Sequence, residues 1–132
     1  MRSFNLLGIV LTGLLVYGCG GPEPTKPTPL LQGKTCAANS TLTYENFGKA
    51  YFLTWCNGCH SSSLENKDRA DAPNNVNFDT LQDIRKHANR IYKRSVEGDN
   101  TMPPSIVLSH EQKKLLGEWL SCGAPSNKGS LP

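Results

Sequence analysis

The chain has 132 residues, 37% hydrophobic and 19% charged, with a formal net charge of +3. That length allows one domain, and so small a positive charge argues against a nucleic-acid partner. Five cysteines in so short a chain each need an assignment.

Residues 1–18 read as an export signal. Arg2 supplies the positive start, and Leu6–Leu11 with Leu14–Val16 forms the apolar core, too short and too interrupted for a comfortable membrane span. The run ends Leu15-Val16-Tyr17-Gly18-Cys19, which resembles a bacterial lipobox: a small residue before a cysteine that is lipidated after cleavage. Tyr17 is bulkier than that motif prefers. The plainer alternative is ordinary cleavage near Gly18, with Cys19 incidental. Either way the removed segment carries only Arg2 among charged residues, so the net charge falls from +3 to +2. Gly20, rather than aspartate, after Cys19 leans towards an outer-membrane address. Residues 19–35 are proline-rich and without periodicity, and read as a semi-extended tether between the lipidated cysteine and the domain.

Thr43 is placed to cap the first helix, and Leu42 with Phe47 has the spacing of a hydrophobic staple. Gly48, Phe52 and Cys56 recur every four residues, with Tyr51, Trp55 and Cys59 beside them, so one apolar stripe runs along this helix. A glycine within a helix costs about 1 kcal/mol against alanine; close approach of another helix is the reason to keep Gly48. The stripe leads into Cys56-Asn57-Gly58-Cys59-His60. This is C-x-x-C-H, the pattern of covalent c-type haem attachment: two thiols add to the porphyrin's two vinyl groups, and the adjacent imidazole reaches the iron. A thioredoxin-like dithiol would need a βαβ pattern, and none is visible. A zinc site would need a second close ligand pair, whereas Cys19, Cys36 and Cys122 are scattered singly.

Residues 61–79 are polar and irregular and read as a loop. Thr80 opens a second helix whose apolar face is Leu81, Ile84, Ala88, Ile91 and Tyr92. It fades around 95–98, and Asp99 to Pro104 is turn-forming. Ser109-His110-Glu111-Gln112 is a capping box opening the last helix, with Leu115, Leu116, Trp119 and Leu120 as its buried face. Gly123 suits the position after its end, and Pro125 stops continuation. No stretch alternates convincingly, so the fold class is all-α. Cys36 and Cys122 remain, one near each end of the folded region. Export makes their compartment oxidising, so a disulfide between them is expected; the alternative is two free thiols.

C-x-x-C-H after an aromatic helix, Met102-Pro103-Pro104 about forty residues later, and a final helix with Leu and Trp together resemble a small class I cytochrome c. The resemblance covers roughly residues 36–125 and leaves 126–132 as a tail; the nearest kind is the single-haem, lipid-anchored bacterial form. It implies the cytochrome c fold, about three main helices around one covalently bound haem c. Cys56 and Cys59 would form the thioethers, with His60 the proximal ligand of the iron and Met102 the distal one. Gly48 and Phe52 would meet the last helix at Leu116 and Trp119. The Pro73 carbonyl would accept the Nδ1 proton of His60. Met102 is the one methionine besides Met1, and His87 and His110 are the other candidate distal ligands.

The function that follows from the resemblance is one-electron carriage, not enzymatic catalysis. The carrier would sit on the periplasmic side of a bacterial membrane, held by its N-terminal lipid, and exchange electrons with redox-partner proteins. Other readings stay open: a haem subunit of a larger oxidoreductase, a haem enzyme or sensor whose distal ligand leaves, and a zinc or dithiol module. Lys49, Lys86, Lys93, Lys113 and Lys114 are placed for an acidic partner, although scattered helical lysines are ordinarily just solvated.

Overall fold

The first helix begins where the sequence places its cap. Thr43 is extended, its hydroxyl accepts from the Asn46 backbone N–H at 3.1 Å, and the Asn46 side-chain oxygen accepts from the Thr43 N–H at 2.7 Å. In this computed structural model, which describes residues 31–98 and 101–127, the first turn is wide. Tyr44–Gly48 is π-helical, with the Gly48 N–H donating to the Thr43 carbonyl, and it runs straight into α1, Lys49–Trp55. A single 3-10 turn, Asn66–Asp68, interrupts the loop that follows. Then come α2, Leu81–Lys86, α3, Ala88–Ser95, and α4, His110–Ser121. The described residues are therefore helical with no strand, as an all-α chain should be.

The expected second helix is two. Thr80 caps it as anticipated, accepting from the Asp83 N–H, but the chain breaks at His87 (φ −105°, ψ 7°). Leu81, Ile84, Ala88 and Ile91 are all buried, so the break preserves the apolar face. It separates two docking tasks: Arg85 of α2 donates twice to the Ala124 carbonyl, at 3.1 and 2.8 Å, while α3 packs on α4. A hydrophobic pattern cannot reveal such a break, because the pattern continues through it.

α4 opens with the reciprocal Ser109–Gln112 capping box and ends at Cys122, with Gly123 at φ +82° just beyond. Leu116, Trp119 and Leu120 are buried as expected. Leu115 is only half-buried, and Gly117 takes its place on the inner face. A Cβ there would meet a Val96 methyl at 3.0 Å, so this glycine sets how close α3 lies.

Gly48 does what its position in the stripe suggests. A Cβ on it would lie 2.6 and 2.7 Å from two indole carbons of Trp119, whose side chain is fully buried. Phe47, Phe52 and Tyr44 surround the same indole, with ring centroids 6.0, 6.0 and 6.5 Å away. The chain ends close this layer: the Pro125 carbonyl accepts from the Tyr44 N–H and from Trp119 Nε1.

Two findings concern the edges of the domain. Leu31 is 2% exposed and belongs to the core, and Lys34 bonds Glu97 at 2.6 Å while lying over the Tyr92 ring. The packed region thus includes Leu31, inside the stretch read as tether; two adjacent leucines after prolines give no periodicity to betray it. The signal at 1–18, Cys19 and the tether up to residue 30 lie outside the described residues, as do residues 128–132 of the tail. Among the described residues no helix is long and apolar enough to cross a membrane.

Cys36 and Cys122 form a disulfide across 86 residues of sequence. Closing so long a loop restricts the unfolded chain, which stabilises the fold by about 2–4 kcal/mol. Replacing both by serine should lower the urea midpoint accordingly; unchanged midpoints would show that the bridge contributes no stability.

Candidate functional site

α1 delivers the motif. Cys56 caps its C-terminus, its N–H bonded to the Phe52 carbonyl. The Cys59 and His60 N–H groups both donate to the Cys56 carbonyl, at 3.1 and 3.0 Å. The chain is wound into a tight turn that keeps both sulfurs and the imidazole together. Asp79 fixes the far side of the loop, accepting from the Ser61 hydroxyl at 2.6 Å and the Ser62 N–H at 2.8 Å.

Cys56, Cys59 and His60 line one cavity of about 470 Å³, and Met102 lines it too. That volume lies in the range of sites for sizeable organic ligands. The remaining wall is mainly apolar, with Trp55, Val76, Phe78, Ile91 and Leu108 among its side chains. His87 and His110 do not line it: His87 packs edge-on against Phe78, and His110 is exposed. Of the three candidate distal ligands, only Met102 lines the cavity that the motif lines. Its N–H donates to the Arg94 carbonyl at 3.2 Å, which ties its loop to α3.

His60 is oriented by its backbone and its ring. Nδ1 lies 2.8 Å from the Val76 carbonyl, which can only accept, so Nδ1 carries the proton and Nε2 keeps its lone pair. The ring packs against Phe78, centroids 4.7 Å apart. Burial pushes its pKa below the usual histidine value, and Arg69, Arg90 and His87 add to this against the Val76 hydrogen bond. The neutral imidazole is the form a metal needs.

The acceptor differs from expectation. Val76, not Pro73, accepts the hydrogen bond from Nδ1–H; the Pro73 carbonyl accepts instead from Arg69 and from the Val76 N–H. The turn from Pro73 to Val76 carries the second carbonyl to the ring. Loop length, which sequence spacing does not specify, decides between them.

Cys56 and Cys59 are both free thiols. Burial pushes the Cys56 thiol up to about 12. A redox-active dithiol needs the opposite, a thiolate stabilised near neutral pH. Among the described residues no three of His, Cys, Asp and Glu converge as a metal site, whereas structural zinc takes four ligands of these kinds.

The sequence leaves the tyrosines between plain core packing and a bond to a haem carboxylate, and it does not single out the arginines; the cavity lining holds both kinds. The Tyr51 hydroxyl is buried with no hydrogen-bond partner among the described residues, and Tyr51, Arg90 and Arg94 all line the cavity. Burial raises the Tyr51 pKa, so its hydroxyl stays a donor. A buried hydroxyl without a partner is costly. No protein family, curated protein or solved structure matches this chain.

Proposed function

We propose that the chain is a one-electron carrier, folded as a class I cytochrome c around one covalently attached haem c. It would be exported and held at the periplasmic side of a membrane by lipid on Cys19. The observation that supports this most is the sharing of one mainly apolar cavity by Cys56, Cys59, His60 and Met102. The residues present fit the group. Cys56 and Cys59 would hold it through thioethers, His60 through Nε2 and Met102 through sulfur. The partnerless Tyr51 hydroxyl, with Arg90 and Arg94, suits its two carboxylates. Bound there, the group supplies a reversible one-electron couple.

This chain's own residues set the conditions of that couple. The Val76 carbonyl holds the His60 ring in one tautomer and one orientation. The mainly apolar wall would limit the access of water to a bound haem. A neutral imidazole and a neutral thioether add no negative charge, which favours the reduced state. A lipid tether would keep the protein close to membrane partners.

The test is material made in a host that matures c-type haem. It should be coloured, change its spectrum on reduction, and keep its haem on a denaturing gel. Colourless protein with free Cys56 and Cys59 thiols would sink the reading. With haem in place, Met102→Ala should abolish the sulfur–iron charge-transfer absorption of the oxidised form and let carbon monoxide bind the reduced one. The potential should fall at least tenfold in the one-electron equilibrium, about 59 mV. An unchanged spectrum would remove Met102 from the site and leave the attachment standing.

A haem subunit of a larger oxidoreductase is the second reading, and exposed apolar residues favour it. Ile106 lines the cavity and is half exposed, and its neighbour Val107 is 89% exposed. A stable complex retained through purification from native membranes would support it.

A further inference from the structure

Arg69 is 2% exposed, a full positive charge inside the domain. Among the described residues its partners are all neutral oxygens. Nη1 donates to the Ser61 carbonyl and Nε to the Ala72 carbonyl at 3.3 Å. Nη2 faces the Pro73 carbonyl at 3.0 Å, the Val76 carbonyl at 3.3 Å and the Asn77 side-chain oxygen at 2.8 Å. A buried guanidinium is ordinarily neutralised by a carboxylate, because desolvating a lone charge is costly. Here the charge is solvated by carbonyl dipoles instead and remains uncompensated.

One of those carbonyls is the acceptor of the His60 Nδ1 proton. Two donors compete for the Val76 oxygen, one of them cationic. Electron density drawn towards Arg69 is unavailable to the Nδ1–H bond. A weaker bond there leaves the imidazole a poorer electron donor through Nε2. The charge itself also acts through the low-dielectric interior on whatever lies beyond His60. Both effects oppose the more positive, oxidised state of a redox centre held by that ring, and arginine keeps its charge across the physiological range.

We infer that Arg69 is a positioning residue that raises the reduction potential of the His60-bound centre, by sharing the Val76 carbonyl and by placing an uncompensated charge behind the ring. The inference rests on the haem reading above. Asn77 is part of the device: a neutral amide accepts from Nη2 where an aspartate would cancel the charge.

Redox titration of the full-length, haem-loaded protein tests this, with Arg69→Gln, Arg69→Lys and Asn77→Asp beside the wild type. Arg69→Gln should shift the one-electron equilibrium towards the oxidised form about tenfold, 59 mV lower. Arg69→Lys, which restores the charge, should recover most of that shift. Asn77→Asp should move the potential in the same direction as Arg69→Gln while leaving the guanidinium in place. In the reduced protein the proton resonance of His60 Nδ1 should move downfield in Arg69→Gln, as its hydrogen bond strengthens, a response that loosened packing would not give. Haem-loaded variants with wild-type potentials would overturn the role of Arg69 and leave the electron-carrier reading intact. If Arg69→Gln does not fold, the potential of Asn77→Asp decides alone. A wild-type protein with no haem on a denaturing gel would overturn both.

Discussion

Protein in which Cys56 and Cys59 are both alanine should emerge without covalent haem and without a cooperative unfolding transition. Among the described residues the two thiols form no disulfide, so their removal as such costs little. The effect comes from the cavity. A mainly apolar space of about 470 Å³ leaves its lining side chains without packing partners when nothing fills it, and a small domain has little stability to spare. The walls, including Trp55, Phe78 and Ile91, would instead collapse or admit water. A chain this small has too thin a core elsewhere to compensate. Far-UV circular dichroism should retain helix signal, near-UV circular dichroism should flatten, and a dye for exposed apolar surface should bind. The Cys36–Cys122 bridge stays intact in this variant and limits how far the chain expands. A sharp urea transition with a native near-UV spectrum would refute the view that the fold depends on what fills its centre.

How much of this was legible beforehand follows from the range over which each signal acts. The caps at Thr43, Thr80 and Ser109 depend on residues within one turn, and all three form. Gly48 within the helical stripe pointed to close approach of another helix; that the partner is the last helix, at Trp119, came from the resemblance. Cys36 with Cys122 followed from counting. What escaped depends on the path of a loop. Nothing in residues 61–79 shows that Val76 rather than Pro73 reaches His60, or that Arg69 is turned inward on a chain reversed by Ala70 and Asp71, at φ 45° and 64°. An arginine amid polar residues ordinarily reads as surface. The burial of Leu31 is likewise a tertiary fact, without periodicity to announce it.

The depth at which α1 sits against α4 should govern everything downstream of it, and exchanging size between Gly48 and Trp119 should show this. Trp119→Ala removes the most enclosed side chain of the aromatic layer and should cost about 5 kcal/mol, at the top of the range for such truncations. Gly48→Ala meets two opposed effects. The helix gains about 1 kcal/mol of propensity, while the new methyl would lie 2.6 Å from an indole carbon that has no room to retreat. Overpacking of that kind costs about 1–3 kcal/mol, so the net change should be destabilising. In a Trp119→Leu background the indole is gone, and the same Gly48→Ala change should become stabilising by about 1 kcal/mol, the propensity alone. Urea unfolding of the four proteins forms a double-mutant cycle whose coupling should exceed about 1 kcal/mol. Because Cys56 and His60 continue from the end of α1, Gly48→Val should also reduce the fraction of chains that acquire haem. Equal effects of Gly48→Ala in both backgrounds would mean that this contact does not set the helix position, and the motif would have to be held from the loop side instead.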